Sequence, residues 1–207
     1  TPPVAPQDLV IGCFNGNQAL CANVERDAGG NITRTLTSYL NLSEYRTDGI
    51  DAELSQTLPL SRFVNLPGKL TFRLQGNWVN TLKTNDGVTT IEYVRSQGNS
   101  FSLGVPEWRV NVSIGYDGED FGAQLRARYI SPGNYNSTVR LLNNHIPAYA
   151  YLDIFARMRV ATSPRTKMEV YGNVTNLFDR QAPNGSLYSP FYDVVGRYFS
   201  VGARLLY

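Results

Sequence analysis

Histidine is almost missing from this chain. His145 is the only one in 207 residues, and there are just two Cys and two Met. That inventory holds too few soft or imidazole ligands for a metal centre, so no metal and no cofactor are expected. Nor is there a Gly-x-Ser-x-Gly elbow or a Cys/His pair, and His145 sits beside Asn143-Asn144 in a polar connection, the place of a solvated residue. An enzyme is not expected. Lysine is scarce too: Lys69, Lys83 and Lys167 are the only three among 19 basic residues, the rest being Arg. Against 17 acidic residues the formal charge is only +2, without the basic field that gathers nucleic acid. No stretch approaches the ~18–20 apolar residues of a membrane-crossing helix. The chain opens Thr1-Pro2-Pro3-Val4, with no Met, basic start or apolar leader, as expected for a processed chain or a piece of a longer one. By averages alone (42% hydrophobic, mean hydropathy -0.26) it reads as an ordinary soluble protein.

Cys13 and Cys21 have seven residues between them in a Gly/Asn-rich stretch. With no companion His or Cys, they read better as a small disulfide-closed loop than as two free thiols or a metal site. A disulfide implies an oxidising compartment.

What the chain does have is alternation, long-lived and nearly free of helical period. Leu70, Phe72, Leu74, Gly76, Trp78 and Leu82 oppose Arg73, Gln75 and Asn77. Trp108, Val110, Val112, Ile114 and Tyr116 oppose Arg109, Asn111 and Ser113. Phe121, Ala123, Leu125, Ala127 and Tyr129 oppose Gln124, Arg126 and Arg128. Similar runs cover 148–160, 166–178 and 196–207, and a noisier one covers 43–58. Seven strands and no helix are expected. At about 10–14 residues each, they are roughly twice the usual soluble length and suit a tilted membrane crossing. Tight links at 59–68, 117–120 and 161–165 alternate with long polar connections at 84–106, 131–147 and 179–195. That is the pattern of an antiparallel up-and-down transmembrane β-barrel.

Aromatics on the apolar face sharpen the choice. Trp108 and Tyr116, Phe121 and Tyr129, and Phe199 and Tyr207 are each eight residues apart. Eight tilted residues climb roughly 19 Å, close to the spacing of two interfacial girdles around a ~25 Å apolar band. A soluble sandwich, the alternative, has no reason to repeat that spacing. A secreted adhesin would give meaning to the Asn-x-Ser/Thr triplets, but those at Asn111 and Asn173 fall mid-strand. The opposite face carries Arg73, Arg109, Arg126, Arg128, Arg157, Arg159 and Arg204. Such charges fit a large wet or plugged lumen and not a sealed core.

Two local sequences resemble a known family. Val174-Thr175-Asn176-Leu177-Phe178-Asp179, and the run Gly196-Arg197-Tyr198-Phe199 leading to Leu205-Leu206-Tyr207, resemble the C-terminal signature of TonB-dependent outer-membrane receptors. Thr47-Asp48-Gly49-Ile50-Asp51-Ala52-Glu53 is similar to a strand of that family which descends from an outer loop, and the Cys-bearing stretch with Arg26-Asp27-Ala28-Gly29-Gly30-Asn31-Ile32 to such a loop. The resemblance implies an all-β fold in which 1–42 form an extracellular loop region. Residues 43–207 would then be seven C-terminal strands of a barrel of about 22, with the plug domain absent. It also implies a bacterial outer-membrane location, long loops extracellular and the C-terminus periplasmic. The expected partners are outer-membrane lipid, the remainder of the same receptor, TonB through the plug, and a transported solute.

The implied activity is TonB-driven uptake of a ferric siderophore, cobalamin or oligosaccharide; a passive porin is the alternative. Asn77, Arg109, Arg128, Tyr149, Tyr151 and Asp153 are the expected ligand neighbours. Arg157, Arg159, Lys167, Glu169 and Arg204 are expected to face the plug. Trp108, Tyr116, Phe121, Tyr129, Phe199 and Tyr207 are expected in the membrane girdles.

Overall fold

A computed structural model describes residues 6–37, 44–64, 66–85, 89–98, 104–137, 141–161, 167–183 and 189–206. Seven long strands dominate: β1 (Glu44–Pro59), β2 (Lys69–Asn85), β3 (Trp108–Asp117), β4 (Phe121–Ile130), β5 (Tyr149–Ala161), β6 (Lys167–Thr175) and β7 (Tyr198–Leu206). Each pairs with its neighbours in chain order, from β7 at one edge to β1 at the other, so the sheet is an open meander. Every registered pair is antiparallel: Trp78 lies opposite Trp108, Asn111 opposite Arg128, Asp153 opposite Arg126 and Glu169 opposite Arg204. Among the described residues, no helix is long and apolar enough to cross a membrane.

Because the register runs without a slip through these ladders, parity sorts the side chains into two faces. One face bares large apolar residues, among them Ile50, Leu54, Ile114, Leu125, Met158, Val201 and Leu205. An apolar surface of that extent is foreign to a soluble monomer but suits lipid. Aromatics gather near its two ends. Trp78 stacks on Trp108 at 5.8 Å where the long connections leave, and Tyr116 meets Phe121 at 6.2 Å beside the tight turn. Tyr129 and Phe199 are exposed on the same face, while Tyr207 lies outside the described residues. The other face is polar.

The chain divides into two units, 48–80 with 94–207, which hold most of the sheet, and 1–47 with 81–93. In the smaller unit the expectation of no helix is corrected. Pro6–Phe14 and Gln18–Cys21 are helical, and Cys13 is disulfide-bonded to Cys21 across the turn that joins them. Nine and four residues are too short for their period to stand out in a sequence, and the cross-link and the buried Leu9 and Leu20 hold them instead. A hairpin, Val24–Arg26 against Ile32–Thr35, follows, its turn organised by Asp27. The Asp27 carboxylate accepts hydrogen bonds from the Gly29 and Asn31 amides and the Asn31 side chain, which hold it below its usual pKa.

The C-terminal motif has a mechanical explanation. Asn176 ends β6 at φ 53°, a left-handed conformation that Asn tolerates. Its buried side chain accepts from the Arg180 amide and donates to the Arg180 carbonyl, closing the Asn-Leu-Phe-Asp turn on itself. Asp179 then accepts the Arg197 amide at 2.8 Å, so the two halves of the motif meet. Gly196 stands between them at φ 74°, where a Cβ would lie 2.9 Å from the Asp179 carboxylate. Replacing Gly196 with Ala should cost about 1–3 kcal/mol through strain and contact. Gly76→Ala, where a Cβ meets open space, should not. Thermal unfolding of the complete receptor in detergent compares the two; equal midpoints would refute this account of the motif.

Candidate functional site: the polar face of the sheet

Two buried carboxylates organise the polar face. Nearer the tight-turn end, Glu169 on β6 is only 3% exposed at its side chain and receives three guanidiniums. Arg204 donates at 2.7 Å, Arg159 at 3.1 Å and Arg157 at 3.4 Å. Arg157 also reaches Asp117 and the Gly118 carbonyl across two strands, and Lys69 lies 3.3 Å from Asp117. Gly122 makes that reach possible, because a Cβ there would come within 2.8 Å of the Arg157 side chain. Lys167 is exposed at the start of β6 and joins none of these pairs. Phe155, on the same face, adds an aromatic wall beside Arg157.

Nearer the long connections, Asp153 plays the equivalent part. It accepts from Arg126 at 3.0 Å and, in bidentate fashion, from Arg128 at 3.0 and 3.1 Å. Its remaining partner is the Asn176 backbone amide at 2.9 Å, which ties the sheet to the C-terminal motif. Charge-assisted bonds of this kind are the strong class, and removing one partner would leave a buried charge uncompensated. Arg128 lies over the Tyr151 ring and 3.6 Å from Asp193.

Described segments of the long connections fold against this end. Backbone bonds join 95–98 to 134–135. Gln97, fully buried, donates to the carbonyls of Ser131 and Pro132 and accepts from the Tyr192 hydroxyl, so all three connections share one side chain. Around it Ile130, Ile146, Tyr149, Tyr151 and Tyr192 form an aromatic core, with Tyr149 edge-on to Tyr192 at 5.1 Å. Burial among these rings pushes the Tyr192 phenol well above its ordinary range.

Beneath Phe191 of the last connection a cleft of about 540 Å³ opens on the polar face. Asn77, Arg109, Arg128 and Tyr151 line it, together with Asp51, Glu53, Gln75 and Asn111. Of the expected ligand neighbours, Tyr149 and Tyr151 both belong to the aromatic core, Tyr151 also lining the cleft, and Asp153 is buried behind Arg126 and Arg128. A carboxylate–amide–guanidinium row crosses three strands: Asn77 donates to Asp51 at 2.6 Å and accepts from Arg109 at 3.3 Å. Asp51 and Glu53 come from the noisier run at 43–58 and are not among the expected ligand neighbours. Gln97, Phe191, Tyr192 and Asp193 carry no local sequence signal, because their partners come from distant strands and connections.

A sheet with one bare apolar face, two aromatic belts and an ion-paired polar face is the wall of a transmembrane β-barrel. The family model for the TonB dependent receptor-like β-barrel matches residues 12–177. The chain belongs to that family, a family of outer-membrane receptors and transporters and not of enzymes. No curated protein and no solved structure matches it significantly.

Two measurements test this site. Glu169→Ala leaves three guanidiniums without their shared acceptor and should lower the unfolding midpoint. Arg204→Ala, whose side chain is 59% exposed, should cost far less; heat-induced unfolding in detergent ranks them. For Tyr192 the neutral phenol is favoured when the connections are docked, so the undocked state ionises first. Docking is therefore unaffected below the ordinary phenol value of 10.0 and weakens as pH rises past it. Phenolate absorbance, read against Tyr192→Phe, should show one tyrosine that titrates only as the connections release.

Proposed function

We propose that this chain is the C-terminal part of a receptor that draws a scarce solute across the outer membrane with energy from TonB. Residues 1–42 would form an extracellular loop region, and 43–207 the last seven strands of the barrel, with the plug supplied by the rest of the same receptor. The long connections face the outside, and the tight turns and the C-terminus face the periplasm. The observation that carries this reading is the division of labour on the polar face. The end beside the long connections holds a structured cleft under Phe191, and the opposite end holds an ion-paired cluster.

That second cluster suits a plug. Among the described residues, the ion pairs of Lys69, Arg157, Arg159 and Arg204 are made with Glu169 and Asp117, four cations on two carboxylates. The surplus charge fits carboxylates of an enclosed domain, with Lys167 beside them. The cleft end fits a solute, with Asn77, Arg109, Arg128 and Tyr151 as its neighbours, from the siderophore, cobalamin or oligosaccharide classes. Outward residues meet lipid, and no catalytic step is assigned to any residue.

Cells carrying the complete receptor, with and without TonB, provide the test. Accumulation of a bound solute should fall to background without TonB. Steady ion conductance in planar bilayers with no tight solute binding would instead make the protein a passive porin.

A further inference from the structure

The geometry points to a neutral, hydroxyl-rich ligand in the cleft under Phe191: a carbohydrate, and not an anionic chelate. This deepens the uptake reading and rests on it.

Charge balance comes first. On this wall four carboxylates, Asp51, Glu53, Asp153 and Asp193, stand against four guanidiniums, Arg73, Arg109, Arg126 and Arg128. Three of the four guanidiniums already hold carboxylates: Arg73 holds Glu53 at 2.7 Å, and Arg126 and Arg128 share Asp153. Arg109 is placed instead by the Asn77 amide oxygen and the Phe191 ring, 5.7 Å away. A polyanion on this wall would meet as many described carboxylates as guanidiniums. It would also bring acceptors up to Asp51 and Glu53, which can only accept.

Hydroxyls fit where an anion does not, because each one both donates and accepts. The row Asp51, Asn77, Arg109 offers an acceptor, a mixed amide and a donor on three successive strands. At the ~4.8 Å strand spacing such a row spans about 10 Å. Gln75 and Asn111 repeat planar, bidentate groups one pleat further along, opposite each other in register. Adjacent hydroxyls of a sugar ring can bridge the two ends of a carboxylate, amide or guanidinium, and the apolar face of the ring can lie on Phe191. The volume of about 540 Å³ lies within the ordinary range for small-ligand sites.

The experiment uses the complete receptor, plug included, purified in detergent. It is screened on an array of neutral oligosaccharides, and the best binder is then titrated calorimetrically beside ferrichrome, ferric enterobactin and cyanocobalamin. At least one neutral glycan should bind more tightly than the three competitors. Asn77→Ala and Arg109→Ala should each weaken it by about 3–10-fold, the loss of a hydrogen bond or two. Asn77→Ser and Arg109→Lys, which keep polarity in place, guard against a folding defect, and heat-modifiability checks each variant.

An array on which every neutral glycan fails overturns the inference. So does binding that all four variants leave unchanged, or a tighter chelate or corrinoid. The two readings fail separately. TonB-dependent accumulation of ferrichrome or cyanocobalamin keeps the uptake reading and removes the carbohydrate. A glycan that binds the cleft yet enters equally without TonB keeps the carbohydrate and removes the uptake reading.

Discussion

In hydrocarbon a backbone amide without a partner costs several kcal/mol, so a strand that crosses a membrane must be paired along its length. Everything else in this sheet depends on that constraint. Antiparallel pairing from β2 to β7 fixes the register, and register fixes parity. Parity lets one chain present Ile114, Leu125 and Val201 to lipid while Arg126, Asp153 and Glu169 sit one residue pitch away on the other side. A one-residue slip would turn all of them over at once. The outermost strands β1 and β7 carry the same two-faced pattern up to open edges. Such edges are tolerable in a membrane only when further strands cover them.

Parity alone does not make the polar face rigid; the two buried carboxylates do. Glu169 gathers arginines from β5 and β7, and Asp153 gathers them from β4 while holding the turn after β6. Each is a small acceptor set among large donors, so arginine, with its fork of donors, is the cation that fits. Lysine could supply charge and donors but not two parallel bonds from one planar group.

How much of this could be read in advance follows from range. The seven strands, their turns and their two faces were legible because a period of two is a local property repeated over some ten residues. Arg157, Arg159 and Arg204 were grouped correctly on one face by the same rule, yet their convergence on Glu169 requires the register between strands. The helices at Pro6–Phe14 and Gln18–Cys21 were missed because a cross-link and two buried leucines support them in place of a long apolar stripe. The Gln97–Tyr192 bond spans 95 residues and leaves no local mark at all. Tyr149 and Asp153 look like solute-facing residues by parity. Tyr149 packs in the aromatic core and Asp153 pairs with arginines, contacts that parity does not reveal.

The placement of that cover connects stability to recognition. Asp153 fixes the Asn176 amide, Asn176 closes the turn that brings Asp179 to Arg197, and the same connection carries Phe191 and Tyr192. Phe191 roofs the cleft while Tyr192 anchors the roof to Gln97. Arg128 stands at the junction, bonded to Asp153, close to Asp193 and lining the cleft. Arg128 thereby links the cleft lining to the connection that carries Phe191 through shared contacts. The family's C-terminal motif is then more than a strand terminator. Through the Asn176 amide it is bonded to Asp153, the carboxylate that also holds Arg128 at the cleft.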